Sequence, residues 1–427
     1  MTPTCQAEGR AHGGHPLLTE GLFLFFPVAA LHAVITPLVW AVTGFSLPFV
    51  HVVAPSQWHA HEMIFGTYGA ALAGFLTSAV PEWTDTTPRR GRALLLLLFL
   101  WLPGRAVGLG GIEVGLPLAA LTDAAFLGLL FWYVLTALCA RASTRHASFA
   151  VCAALLLAAE IAVRLAWFAG MSELAGRLLQ AALLIFLIFL SLALARINVV
   201  VINLALDPSG ETTPYRPHPG RQNLTAGLTA LYTVAALLAP RSAVPAYLAL
   251  AAAAAFLDRL AEWFIGRNVF RSQVLALAGA NAFAGIGFLT LGLAGLGAPV
   301  SATAGLHLLS VGGLGLAVMA VFIIAGLRHS GRPLDLPWQA HAAVALMLCA
   351  GAVRVLPELG LGTALAGLHY VASAALWSLA FAAWLHGFLP LLLNPVAAAH
   401  GQGDAKPEHG PETREAVSGN DHAQTQS

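Results

Sequence analysis

Apolar positions along this chain fall in long unbroken runs, not in the alternation of half-buried strands, and short polar stretches interrupt them at regular intervals. A bilayer core takes roughly 20 apolar residues per helix. By that criterion spans fall at 17-43, 57-80, 92-110, 114-140, 148-170, 175-205, 223-240, 243-266, 272-297, 300-327, 338-356 and 364-392. The pattern predicts an all-α polytopic membrane protein with about twelve transmembrane helices. They make one domain over 17-392, between a polar N-terminal tail at 1-16 and a C-terminal tail at 393-427, rich in Gly, Glu, Gln and His and expected to be disordered. The first apolar run is long enough to remain as a helix, so no cleavable signal peptide is expected.

Composition agrees. Of 427 residues 58% are hydrophobic and only 10% charged, with a mean hydropathy of +0.77, which excludes an ordinary soluble domain. The net charge of +1 is uninformative about nucleic acid, but there is no basic tract of the kind that would bind it, so the expected partner is the lipid bilayer and not nucleic acid. Four scattered cysteines (Cys5, Cys139, Cys152, Cys349) form no C-x-x-C, so neither a disulfide framework nor a thiolate metal cluster is indicated. Arginines then orient the spans. Alternate loops hold Arg89, Arg90 and Arg92; Arg141 and Arg145; Arg216 and Arg221; Arg267 and Arg271; Arg328 and Arg332. The loops between them have at most one each, read as Arg105, Arg177, Arg241 and Arg354. By the positive-inside rule the rich loops and both termini are cytoplasmic.

Orientation assigns each histidine a depth. His59 and His61 begin the second span on the outer side, His307 lies about two turns into the tenth, His32 and His369 fall in outer halves, and His51 lies in the outer loop before the second span. A faint parallel repeat is also visible. His61, Pro88-Arg89-Arg90-Gly91-Arg92 and Gly104-Arg105 are echoed by His307, His329-Ser330-Gly331-Arg332-Pro333 and Val353-Arg354.

The densest chemistry is in Trp58-His59-Ala60-His61-Glu62-Met63-Ile64-Phe65-Gly66. Residues two apart on a helix point in nearly opposite directions, so His59 and His61 cannot serve one ion, whereas His59 and Glu62 share a face. His61 is therefore read as one ligand with a partner on another span. A bis-imidazole haem needs two such histidines at similar depth, and His307 is the best match. Gly305, Gly312, Gly313 and Gly315 leave its helix bare, either for a flat ring or for close helix packing. His32, His51, His59 and His369 are candidates for a copper site, since imidazole suits copper. Phe65 stands where H-E-x-x-H needs its second histidine, which excludes that zinc site. Glu160 with Arg164, and Asp258 and Glu262 around Arg259, stand at helical pairing distance; mutual neutralisation is the plain reading, a proton or anion path the alternative. No P-loop, dinucleotide fingerprint or nucleophile elbow is present.

The stretch from Trp58 to Gly66, followed by Ala73-Gly74-Phe75-Leu76-Thr77-Ser78-Ala79-Val80-Pro81-Glu82-Trp83-Thr84, resembles the signature of the NnrS family. Leu306-His307-Leu308-Leu309-Ser310-Val311-Gly312-Gly313-Leu314-Gly315 and His329-Ser330-Gly331-Arg332-Pro333-Leu334 resemble its second block. The resemblance covers nearly the whole chain. It implies a bacterial inner-membrane protein of twelve helices, associated with haem and copper and with resistance to nitric oxide and nitrosative stress. His59, His61, Glu62, His307, His329 and Arg332 fall in the shared motifs. Two stretches depart from the family pattern: Ala195-Arg196-Ile197-Asn198-Val199 replaces an expected Gly-Gly-Arg block, and the ninth span lacks an expected His and Tyr pair. A looser analogy, at the level of fold alone, joins the histidines of spans two and ten to those of haem-copper oxidases.

The expectation is thus a haem-binding and copper-binding membrane protein of the nitric oxide response, with His61 and His307 as the haem pair and nitric oxide as a small-molecule ligand. His59, Glu62, His32 and His369 complete the metal candidates. The alternatives are a secondary transporter, in which these groups bind substrate or protons, and a protein of metal or haem handling.

Overall fold

The computed structural model describes residues 15–43, 52–141, 146–209 and 211–396. His51 and nearly all of both polar tails lie outside them. Among the described residues there is no strand, and twelve long helices follow one another: α1 (Gly21–Val42), α2 (Pro55–Thr84), α3 (Arg92–Gly110), α4 (Leu116–Ala140), α5 (Ala147–Phe168), α6 (Ser172–Leu206), α7 (Pro219–Leu238), α8 (Val244–Asp258), α9 (Ser272–Gly295), α10 (Ala302–His329), α11 (Trp338–Val355) and α12 (Leu368–Leu393). Eleven are long and apolar enough to cross a membrane, α8 together with the turn that carries it on to Trp263; α7 is the exception, with a shorter apolar part at Asn223–Leu238. A bilayer permits this all-helical solution because every backbone group then bonds within its own segment.

Helix ends follow local chemistry. Pro55 and Pro117 stand in first turns, where a missing N–H costs nothing. Ser301 caps α10 by accepting from the Ala304 N–H. Gly111 closes α3 in the left-handed region.

Two helices form the interior. Of the apolar windows of α2 and α10, 89% and 83% is buried, against 33% for the helix that includes α4. Around them sequential neighbours pack as hairpins, and α1 packs on α12, so the two ends of the chain close the bundle. The connections define its faces. The Gly91 N–H donates to the Leu18 carbonyl, His329 Nδ1 meets Glu20 at 2.5 Å, and the Val396 N–H donates to the Ser330 carbonyl. Both described ends therefore share a face with the arginine-rich loops, as an even number of crossings requires. Arg105, Arg177 and Arg354, read from sequence as loop residues, lie inside α3, α6 and α11. Their removal from the intervening loops sharpens the charge bias between the two faces, the one with both described ends being the arginine-rich one.

The faint repeat takes physical form in α2 and α10. Each begins as an α-helix that ends on a histidine (Pro55–His61, Ala302–His307), widens into a π-helical stretch (Glu62–Tyr68, Leu308–Gly315), and resumes as an α-helix. Long π-helical stretches are rare and concentrate at functional sites. The two touch where Tyr68 Oη donates to the Ser310 carbonyl at 2.7 Å.

Candidate functional site

A closed ring of charge surrounds the start of the first π-helical stretch. His61 Nε2 donates to Glu160 Oε2 at 2.8 Å, and Arg164 Nε donates to Glu160 Oε1 at 2.7 Å. Arg164 Nη2 and Arg105 Nη2 both donate to Asp123 Oδ2, at 2.5 and 2.7 Å. Arg105 Nη1 lies 3.4 Å from Glu62 Oε2, and Glu62 Oε1 lies 3.6 Å from His61 Nδ1. His32 joins from α1, its Nε2 at 3.2 Å from Glu62 Oε2 and its Nδ1 at 2.8 Å from Thr67 Oγ1. Five helices contribute, and all seven ionisable groups are buried.

Small residues make the ring fit. A Cβ on Gly104 would lie 2.4 Å from Asp123 Oδ1, and one on Gly66 2.5 Å from Arg105 Nη1. Three carboxylates face two guanidiniums and two imidazoles, so the group is close to neutral, as desolvation of so many charges requires. His61, Asp123 and Glu160 bring one ligand atom each within 4.8 Å of one another, a spacing that suits a metal ion. Their oxygens are already engaged by Arg105, Arg164 and His61 itself, so the ring satisfies its charge without one.

The second half carries a counterpart around His307. The Thr303 carbonyl can only accept, so His307 Nδ1, at 2.8 Å, carries the proton and Nε2 presents its lone pair, which accepts from Arg354 Nη2 at 3.2 Å. Arg354 also binds Glu358, which accepts from Ser301 Oγ at 3.0 Å. Glu358 lies between α11 and α12. Partial burial pushes its carboxyl up, but Arg354 and Ser301 outweigh this and leave it below the ordinary carboxylate range. His369 Nδ1 lies 3.1 Å from the Gly367 N–H and 3.3 Å from the Leu365 carbonyl, to which it donates in the tautomer that leaves a lone pair on Nε2; that buried Nε2 has no hydrogen-bond partner, at 3.7 Å from Glu358 Oε1. His59 lies flat on Trp40, ring centroids 5.0 Å apart and planes within 7°, and its Nδ1 is buried without a partner. It stands within electrostatic range of His307 and Arg354, as His307 does of His369.

The sequence candidates thus divide. His32, His61 and Glu62 belong to the ring, whereas His59, His307 and His369 belong to the outer histidine group. His61 and His307, expected to face each other, hold different partners. Glu62, expected to share a face with His59, reaches His61 instead, because the backbone widens at Glu62. The bare glycines of α10 receive packing: a Cβ on Gly312 would lie 2.3 Å from Phe283 and one on Gly315 2.5 Å from Trp377. His329 and Arg332 tie the arginine-rich face together, His329 to Glu20 and Arg332 Nη2 to the Asn394 carbonyl at 3.3 Å.

Arg105, Asp123, Arg354 and Glu358 were not singled out from sequence as site residues. Their signal was available, since an ionisable group within an apolar run needs a partner, and Arg105 and Arg354 occupy matching places in the repeat. What the sequence lacks is the pairing across helices.

Fold and site together define a multi-pass membrane protein built on two histidine-bearing π-helical stretches, each answered by an arginine from the following helix. The chain matches the model of the NnrS family, described as NnrS protein, over residues 16–395, and belongs to that family. A comparison with curated proteins gave no match.

Proposed function

We propose that this protein serves the nitric oxide response in the bacterial inner membrane, and that it does so with copper held by His59, His307 and His369 on the outer side. Family membership supports the first part. The observation that carries the second is that His59 Nδ1 and His369 Nε2 are buried without hydrogen-bond partners, each within electrostatic range of a third imidazole, His307, so that copper would have to draw the three together; the set already at ligand spacing is His61, Asp123 and Glu160. Buried polar atoms are rarely left so, and an ion is one of the few groups that satisfies them. Three neutral imidazoles suit copper. His307 also has the orientation a ligand needs, since its far nitrogen donates to a backbone carbonyl and directs the other toward the group. Arg354 stands between His307 and Glu358, so a metal arriving here competes with its guanidinium. Bound copper would supply one-electron chemistry toward nitric oxide as a small-molecule ligand; the chain's own residues hold the site at the outer end of α2, α10 and α12.

Metal analysis of the purified protein tests this. Copper near a stoichiometric amount is expected, reduced severalfold in His59→Ala, His307→Ala and His369→Ala and unchanged in His329→Ala. Copper-free protein from copper-replete cells, or copper indifferent to all three substitutions, overturns it.

Haem between His61 and His307 is the second reading, favoured by their equivalent places in the two repeat units. The arrangement present does not fit it: Glu160 engages the Nε2 of one and Arg354 that of the other. Its signature is a Soret band that His61→Ala and His307→Ala each abolish.

A further inference from the structure

The inner half of the bundle holds a third buried polar group, remote in sequence from both histidine clusters. Arg259 follows α8 and is 1% exposed. Its Nη1 donates to Ser191 Oγ at 3.3 Å. Its Nη2 donates to Asn198 Oδ1 at 3.3 Å in the amide orientation that also satisfies the Leu194 carbonyl. The carboxylate beside it, Glu262, comes no closer than 3.7 Å to Nε and is faced by the Tyr215 hydroxyl, and Arg259 Nε has no hydrogen-bond partner. The ring around His61 shows the usual arrangement, guanidiniums bonded directly to carboxylates. Arg259 instead rests on two neutral oxygens, with a donor to spare.

It also lines a cavity between α6, α8, α9 and α10, with Ser191, Phe256, Asn281, Ala284 and Gly313 among the other walls. About 20 Å³ is open to the centre of a water-sized sphere, room for one or two small occupants. Glu262 is not on the wall, so the charge that lines the space is positive. Against apolar walls that charge attracts an anion far more strongly than it would in water. Ser191 Oγ is shared with Thr225 Oγ1 at 3.2 Å, and Asn281 adds an amide whose second hydrogen is not committed to the Leu277 carbonyl. The volume matches a small anion rather than a bulky one.

We infer that this cavity binds a small monovalent inorganic anion, a halide or nitrite, on Arg259. The inference is independent of the copper reading and does not involve its ligands.

Binding of radiolabelled chloride to the full chain in detergent tests it. Expected is saturable binding, displaced by nitrite or bromide but not by gluconate at equal ionic strength. Stronger displacement by nitrite assigns nitrite as the favoured occupant; stronger displacement by bromide assigns a halide. Arg259→Gln is expected to weaken binding about tenfold or more, the scale of a lost charged hydrogen bond. Arg221→Gln, whose side chain pairs with Asp258 at the surface, leaves it unchanged. Ala284→Val narrows the cavity without touching the charge and is expected to reduce binding while cooperative melting persists. Non-saturable binding, equal competition by gluconate, or full binding in both Arg259→Gln and Ala284→Val overturns the inference.

Discussion

At the scale of single residues, the ring around His61 shows what lets charge persist inside a membrane protein. His61, Glu62, Arg105, Asp123, Glu160 and Arg164 each stand within ion-pair distance of two others, so removing any of the charged ones strands a buried charge. Asp123 is the extreme case, because Oδ2 accepts from both Arg105 and Arg164. Asp123→Asn is expected to cost about 3–5 kcal/mol, the cost of breaking a buried pair by deleting one partner. Combined with Arg164→Gln it is expected to cost clearly less than the sum of the two, since the second change removes a charge that the first has stranded. Reversible unfolding in mixed micelles measures the cycle, and additive losses would show that the ring is not one unit. The outer histidine group differs in kind. Its members are less completely paired, with nitrogens of His59 and His369 left over, which is why it and not the ring is the candidate for a ligand.

At the scale of elements, the π-helical stretches do two things that a straight helix would not. They keep Glu62 with His61 while His59 faces elsewhere, and their wider turn brings the Ser310 carbonyl within reach of a side chain on the other stretch. Ser310 accepts there from Tyr68, which joins the two repeat units. Tyr68→Phe removes the hydroxyl and leaves the carbonyl to find another donor. A loss of about 1–3 kcal/mol is expected on the scale of a buried acceptor left unsatisfied, read by the same unfolding measurement. An unchanged stability would mean that water or a neighbouring N–H already serves that carbonyl.

At the scale of the whole molecule, the bundle is closed by its own ends. Contacts between Leu18 and Gly91 and between Ser330 and Val396 bring both described termini onto the arginine-rich face. The twelve-crossing topology can be checked in membranes. In a background lacking the four cysteines, a cysteine at Glu211, exposed before α7, is expected to react only with reagent supplied from the cytoplasm, and one at Ser242, exposed after it, only with reagent supplied from outside. Labelling of both from one side would reduce the count by one crossing, and α7, the least apolar of the twelve, would be the helix to reconsider.

What the sequence determined by itself was the part that depends on one helix at a time. Spans follow from the length of apolar runs, orientation from arginine bias, and the two histidine motifs from their repetition before glycine-rich segments. Each of these signals is written locally, so the number of helices and the family resemblance were legible. The tertiary structure alone decided the pairing. It moved Arg105 and Arg354 from loops into the interior and drew Asp123 and Glu160 to His61. It separated His61 from His307 and filled the bare face of α10 with Phe283 and Trp377. The physical reason is that depth fixes only how far along the bilayer normal a side chain lies, whereas a bond also requires the rotation of two helices about their own axes. That rotation is set by packing among all twelve, and in α2 it shifts again where the backbone widens at Glu62.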